Sequence, residues 1–277
     1  MAVAAKTSLP IAPVVTALTA QWATLDALAT GLSDDQWSAP SVLPGWSMAD
    51  VIAHVIGTES MLAGRQVEPR RDVGALDHVH NPIGELNEKW LDHFRGSSRG
   101  EVMAAYREIV AVRTDALTQM TQEEFDADSV TPAGPESYGR FMRIRVFDCW
   151  MHEIDIRDST DGSAPTDAVP AELALDEIAA SLPFVVGKRA ATPKGTSVLI
   201  RIGGVVSRAI RIEVGDRAVA VEEFAGGDES ADVVLTLDAR ELARLAGGRR
   251  TADPGRVTVD GDRTLGTAIL DNLDYVI

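Results

Sequence analysis

The sequence predicts an all-α domain followed by a smaller α+β domain. Apolar residues recur at helical spacing as far as residue 158, a pattern that predicts amphipathic helices. After Gly162 the pattern changes to short runs in which apolar and polar residues alternate, as they do in half-buried strands. The polar connection DGSAPTDAVP lies at this change. We therefore expect domains at residues 1–162 and 163–277.

The first domain is predicted to contain five helices, and several of their ends carry a recognisable signal. Gly31 is a natural C-terminal stop for the first helix. Ser47 followed by Asp50 resembles a capping box, and Asn81-Pro82 forms a good N-cap and first-turn pair. The predicted helices span 13–31, 47–62, 82–94, 100–120 and 137–158. Glycine, proline and charged residues without a period fill the segments 64–80 and 121–136, which are expected to be loops.

The second domain is expected to contain a mixed sheet. It begins with a proline-flanked helix at 170–187. Three alternating runs follow, separated by glycine-containing turns, and predict a β-meander. A fourth strand passes directly into a helix, and a fifth strand precedes the last helix. The predicted strands are 196–203, 207–214, 217–224, 232–238 and 257–262, and the two later helices are 239–248 and 264–276.

Composition excludes some classes of partner. The 277 residues carry a formal net charge of −16 and give a pI of about 4.7. A surface of that sign repels phosphate backbones and anionic lipids, so neither nucleic acid nor a membrane is an expected partner. Cys149 is the single cysteine, so no internal disulfide can form, as is usual in the cytoplasm. No apolar run is expected to reach the length of a membrane span.

Three residues have the chemistry and placement of metal ligands. Asp148 and His152 are four residues apart on one predicted helix, so their side chains leave the same face. His54 lies on an earlier predicted helix. Together they offer two imidazoles and a carboxylate, and three protein ligands leave a position open for water or a thiol at a catalytic zinc. The alternatives are a surface ion pair between Asp148 and His152 and a satisfied core histidine at His54.

Other polar residues near these three admit two interpretations each. Asp155 is placed to accept the second ring N–H of His152, or it forms an ordinary ion pair. The stripe Arg140, Arg143 and Arg145 is a solvated surface by default, although arginines beside a metal suit an anionic substrate. His78 and His80 are expected to be a solvated loop pair, or else to line a substrate entrance. Cys149 is expected to serve packing only.

Four segments together resemble the mycothiol-dependent maleylpyruvate isomerase family: PGWSMADVIAHVIGTE, then DCWMHEIDIRD, and in the tail ADVVLTLDARELARLAGGR and VTVDGDRTLGTAIL. The resemblance implies a DinB-like metal-binding four-helix bundle over residues 13–158 and a sterol-carrier-like α+β domain over about 170–277. It also implies that His54, Asp148 and His152 are the metal ligands. Members of that family use glutamate where this chain has Asp148, whose side chain is one methylene shorter.

The resemblance implies an enzyme that needs a divalent metal, zinc being the expected one, and mycothiol as thiol cosubstrate. It would act as an isomerase or S-transferase on a small electrophile. Metal binding would turn the small thiol into a nucleophile at neutral pH. The shorter Asp148 keeps a second hypothesis open, a non-catalytic small-ligand or partner-binding protein with a vestigial metal site. A third is a metal-dependent hydrolase. Neither the substrate nor the oligomeric state follows from the sequence.

Overall fold

A helical unit, residues 1–163, is followed by a mixed α/β unit, residues 164–277. The structure is a computed structural model and describes residues 6–249, 253 and 255–276. The predicted fold class is confirmed: a helical N-terminal domain precedes a C-terminal domain with a five-stranded mixed sheet. The two units meet one residue after the boundary that the change of periodicity predicts.

The described part of the first unit contains seven helices: α1 (Ile11–Gly31), α2 (Asp34–Ser38), α3 (Met48–Leu62), α4 (Pro82–Phe94), α5 (Arg99–Thr118), α6 (Gln122–Phe125) and α7 (Tyr138–Asp158). Helix α1 contacts α5 and α7, and α3 contacts the same two helices. The four longest helices of this unit therefore form a four-helix bundle, and α4 packs against α3. Buried aromatic residues, including Trp22, Tyr106 and Trp150, fill its interior.

The two N-terminal signals predicted for α3 and α4 are confirmed. The Ser47 hydroxyl accepts a hydrogen bond from the Asp50 amide, and the Asp50 carboxylate accepts one from the Ser47 amide at 2.8 Å. Asn81 accepts a hydrogen bond from the Gly84 amide at the start of α4. These caps satisfy amide groups that have no partner within the helix. They fix where α3 begins, and thereby where His54 lies on it.

The predicted loop at 121–136 is wrong. It contains α6 and a hairpin of β1 (Asp128–Thr131) and β2 (Gly134–Ser137). Thr121 and Glu124 form a capping box for α6, a signal that the Pro-Ala-Gly-Pro run later in the segment obscures. The hairpin turn needs Gly134, whose φ is +96°.

Helix α1 corrects another expectation. By length and composition it is apolar enough to cross a membrane, with 21 residues and a mean hydropathy of 1.2. Within the bundle it has the contacts of a core helix. Gln21 donates to Glu153 at 3.0 Å, and the Tyr106 hydroxyl donates to the Trp22 carbonyl at 2.8 Å. Its apolar composition is therefore explained by packing, since a buried bundle helix and a spanning helix share it.

The second unit begins with α8 (Ala168–Phe184), which continues as a π-helical turn over Val185–Arg189. Its strands are β3 (Ser197–Gly203), β4 (Arg208–Val214), β5 (Ala218–Val221), β6 (Val233–Asp238) and β7 (Thr258–Gly261). The sheet order is β5-β4-β3-β6-β7, with β3 and β6 parallel and the other pairs antiparallel. Helices α9 (Ala239–Ala246) and α10 (Arg263–Leu270) pack on it. Helix α10 ends six residues before its predicted end.

Candidate metal centre

His54 lies in the interior of the bundle. It occupies the second turn of α3, and its side chain is 6% exposed. Its Nε2 atom lies 3.1 Å from Oδ2 of Asp148, which is 94 residues later in the chain. Helices α3 and α7 therefore approach each other at this point, as predicted.

Asp148 and His152 share one face of α7, as their spacing predicts. His152 Nε2 lies 3.7 Å from Asp148 Oδ1. One ligand atom from each of His54, Asp148 and His152 can be chosen so that all three lie within 4.8 Å of one another. The Asp148 side chain is 30% exposed, whereas that of His152 is 5% exposed. The carboxylate is therefore the member of the group that solvent and small molecules reach.

The donor set suits a divalent metal ion. Two ligands that are each about 2.1 Å from a tetrahedral ion lie roughly 3.4 Å apart. One Asp148 oxygen lies 3.1 Å from the His54 nitrogen and the other lies 3.7 Å from the His152 nitrogen, while the widest spacing of the three ligand atoms is within 4.8 Å. Two imidazoles and a carboxylate are typical ligands of a borderline cation that keeps one position for an exogenous ligand. The three residues thus form a group that could hold a metal ion.

The two histidine rings are oriented by different means. His152 Nδ1 lies 3.0 Å from Oδ2 of Asp155, the outer contact that the sequence predicts. A carboxylate in this position fixes the tautomer and turns the other ring nitrogen toward a metal. His54 differs, because among the described residues its buried Nδ1 has no hydrogen-bond partner. The orientation of the His54 ring must therefore depend on packing and on Asp148.

The electrostatics at His54 and Asp148 favour the protonation states that bind metals. Burial lowers the pKa of His54, and this effect outweighs the opposing attraction of Asp148. Burial acts to raise the pKa of Asp148, but the Arg145 guanidinium and the two imidazoles hold it well below its ordinary value. A neutral imidazole and an ionised carboxylate are the ligand forms that metal binding requires.

Arg145 belongs to the interior and not to a surface stripe. It donates to Asp148 from Nη1 and to Glu59 Oε1 from Nε at 2.9 Å, and Arg113 donates to the other oxygen of Glu59 at 3.0 Å. Glu59 and Arg145 are both buried. The default prediction of a solvated stripe is wrong for Arg143 and Arg145, which are buried, while Arg140 is half-buried and pairs with Glu136. Helical periodicity did not predict this network, because the Glu59 carboxylate that binds both arginines lies on a different helix, α3.

Trp46 and Glu88 are further residues of the site that the sequence did not single out. The Trp46 ring centroid lies 5.3 Å from that of His54 and 6.2 Å from that of His152. The indole Nε1 donates to Glu88 Oε1 at 2.8 Å. His78 approaches the same oxygen at 2.9 Å. The only available signal was the position of Trp46 within PGW, because Glu88 lies in an amphipathic helix without a motif.

The remaining candidates lie outside the group of three. His80 is exposed, in contrast to His78. Cys149 is buried in the bundle, as expected for a packing residue, and burial raises the pKa of its thiol. A buried neutral thiol is a poor nucleophile, because the thiolate is the reactive form.

Two family profiles match the sequence. The profile described as the mycothiol maleylpyruvate isomerase N-terminal domain matches residues 18–157, and the MDMPI C-terminal domain profile matches residues 172–267. No protein with a curated description matches significantly.

Two crystal structures share the fold. One is the mycothiol-dependent maleylpyruvate isomerase, with 16% sequence identity, a TM-score of 0.58, and coverage of 91% of this chain and 93% of that chain. The other is a His-to-Ala mutant of the mycothiol-dependent maleylpyruvate isomerase, with 15% identity, a TM-score of 0.57 and the same coverage. At this identity the likeness concerns the fold alone.

Proposed function

Because this chain belongs to the mycothiol maleylpyruvate isomerase family, we propose that it is a metal-dependent and thiol-dependent isomerase or S-transferase acting on a small electrophile. One observation carries this proposal: His54, Asp148 and His152 bring their ligand atoms within 4.8 Å of one another. Stability alone does not explain a cluster of two buried imidazoles and one accessible carboxylate, because burying polar groups costs free energy.

The proposed roles follow from the contacts of each residue. His54 and His152 would bind the cation through ring nitrogens that face Asp148, and Asp148 would supply the charge. Zinc is the proposed metal, because nitrogen and oxygen ligands with one open position suit it. When bound, the cation would act as a Lewis acid that lowers the pKa of a thiol at the open position. The 30% exposure of the Asp148 side chain leaves that side of the group accessible to small molecules.

Mycothiol is the proposed cosubstrate. Cys149, the single cysteine of the sequence, is buried and its thiol pKa is raised, so the sulfur nucleophile must come from outside the chain. The name of the family supports mycothiol as that source. The partners in this proposal are small molecules, in keeping with the net charge of −16, and the proposed location is the cytoplasm.

One observation favours the non-catalytic alternative. Arg145 already compensates the charge of Asp148 through a direct hydrogen bond, so the group is electrostatically balanced without a cation. A protein with a vestigial site would look the same in this respect. A hydrolase would share the metal but use water where the thiol is proposed.

Metal analysis and calorimetry distinguish these functions. We expect metal-free wild-type protein to bind one zinc ion, and the zinc-loaded protein to bind mycothiol. The His54→Ala variant should lose both, while His80→Ala, an exposed histidine, should retain both. Wild-type protein that binds zinc no better than His54→Ala would support the vestigial site. If the protein binds zinc but zinc does not change its affinity for mycothiol, the result would instead favour the hydrolase.

A further inference from the structure

Trp46 packs on both histidines of the candidate metal centre. Its ring is tilted by 39° to that of His54 at 5.3 Å and by 30° to that of His152 at 6.2 Å. The indole is only partly buried, so contact with these two rings does not follow from filling the core. The Trp46 indole must therefore be held in place by a polar contact as well as by apolar packing.

A buried carboxylate holds it. Glu88 on α4 is 1% exposed. Its Oε1 accepts from Trp46 Nε1 at 2.8 Å and lies 2.9 Å from His78 Nε2, and its Oε2 accepts from Arg95 Nη1 at 3.0 Å. A buried carboxylate with three such partners is firmly fixed, because each hydrogen bond to a charged group is strong.

The surroundings leave this arrangement little freedom. Gly45, next to Trp46, has a φ of +77°, and a Cβ there would lie 2.5 Å from Nδ1 of His78. The imidazole thus packs directly on the Gly45 backbone. Arg95 also donates to Asp50 at 3.0 Å, so Glu88 is linked to the first turn of α3. The loop that carries Gly45 and Trp46, helix α4 and the start of α3 are therefore connected through the Glu88 carboxylate.

The two histidines differ in the contacts that hold their rings in place. Asp155 fixes the ring of His152 through a hydrogen bond to its second nitrogen. His54 lacks such a partner within the part of the chain that the structure describes. An imidazole without an outer hydrogen bond rotates more freely, and a metal then binds more weakly. Apart from the other ligand candidate, His152, whose ring centroid lies at 4.8 Å, the described aromatic ring in contact with His54 is the Trp46 indole at 5.3 Å, and it could restrict His54 instead.

We infer that Glu88 is a positioning residue of the proposed metal centre, and that it acts by holding the Trp46 indole against the His54 ring. Glu88 and Trp46 thus replace the outer carboxylate that His54 lacks. This inference rests on the proposed function, since it concerns the same metal site. It assigns a role to the tryptophan of the PGW segment and to a glutamate that lies in no motif.

Cobalt(II) tests the inference, because its visible spectrum reports both binding and ligand geometry. We expect Trp46→Phe and Glu88→Gln each to raise the cobalt dissociation constant about 10-fold, the size of effect seen for outer residues of metal sites. The double variant should be no weaker than either single variant, because both changes remove the same contact. Glu85→Gln, at a half-exposed position on the same helix where Glu85 pairs with Lys89, should bind cobalt like wild type.

The possible failures are distinguishable. Wild-type protein that binds no cobalt overturns the proposed function and the inference with it. Wild-type protein that binds cobalt, beside variants with unchanged affinity, overturns only the inference, even if the variants melt at lower temperature. Additive losses in the double variant also overturn it. If Glu88→Gln fails to fold, Trp46→Phe alone decides, since it leaves the contacts of Glu88 with His78 and Arg95 intact.

Discussion

The guanidinium of Arg145 lies behind the Asp148 carboxylate, three residues earlier on the same helix, and donates a hydrogen bond to its Oδ2 atom. The same guanidinium donates to Glu59 from the opposite side. Oδ1 of Asp148 is left facing His152. Arg145 thus fixes the carboxylate between the two imidazoles, with Oδ2 at 3.1 Å from His54 Nε2 and Oδ1 at 3.7 Å from His152 Nε2.

Replacing Arg145 should strongly destabilise the bundle. In Arg145→Met, Glu59 keeps Arg113 as its one cationic partner among the residues that the structure describes, and Asp148 loses its guanidinium. Breaking a buried charge pair from one side typically costs about 3–5 kcal/mol. We expect a loss of that size in the free energy of unfolding, measured by urea denaturation. Arg107→Met breaks an exposed pair with Asp26 and should cost about 1 kcal/mol or less. Equal losses would show that the interior network is not stabilising.

Asp148→Asn should separate metal binding from folding. The change keeps the volume of the side chain but removes the charge that a divalent ligand set needs. We expect zinc affinity to fall at least about 100-fold, beyond the usual effect of an outer residue. The side chain is 30% exposed, so water can solvate it and the unfolding free energy should fall less than in Arg145→Met. Calorimetric titration with zinc measures the loss of zinc affinity. The control is Asp115→Asn, at an exposed position of α5.

Asp155→Asn tests the outer contact of His152. Asparagine keeps an oxygen that can accept from His152 Nδ1, but it lacks the negative charge that raises the basicity of the ring. We expect a loss of about 10-fold in zinc affinity with the fold retained. Because His54 is oriented by other contacts, this loss should add to that of Trp46→Phe. Strictly unchanged zinc binding would mean that Asp155 serves the stability of α7 only.

Local signals predicted much of this fold and site. The four-residue step between Asp148 and His152 and the Ser47 cap are properties of neighbouring residues, so they could be recognised in the sequence and the structure has both. The contact between Trp46 and Glu88 joins residues 42 positions apart on separate elements. The burial of Arg145 depends on Glu59 of another helix. Such pairings arise from the packing of whole helices, which no short period encodes.

Gly57→Ala should destabilise the contact between α3 and α4. A Cβ at Gly57 would lie 2.5 Å from both Cβ and Cγ of Trp90, atoms too close to the backbone to move easily. We expect a loss of about 1–3 kcal/mol from overpacking, larger than the gain in helix propensity of about 1 kcal/mol. Gly31→Ala is the control, because nothing lies within 4 Å of a Cβ there. Thermal unfolding should show a lower midpoint for the first variant and an unchanged or higher one for the second.

Tyr106 should make the stability of the bundle fall at alkaline pH. Burial, followed by nearby negative charges, raises its pKa well above the ordinary value of 10.0. Its contribution is fully present below that value, where both states keep the proton. At higher pH the unfolded chain releases a proton that the folded chain retains. The unfolding free energy then decreases by up to about 1.4 kcal/mol per pH unit from this group.

The Tyr106→Phe variant tests this explanation. At neutral pH it should be less stable by about 1 kcal/mol, because the hydrogen bond to the Trp22 carbonyl at 2.8 Å is lost. Above pH 10 its stability should decline less steeply than that of wild type, so the two curves converge. Cys149, whose pKa burial also raises, is present in both proteins, so the difference between the two curves reports Tyr106 together with its coupling to Cys149. Urea denaturation between pH 7 and 11 provides the curves, and parallel declines above pH 10 would contradict the role given to Tyr106.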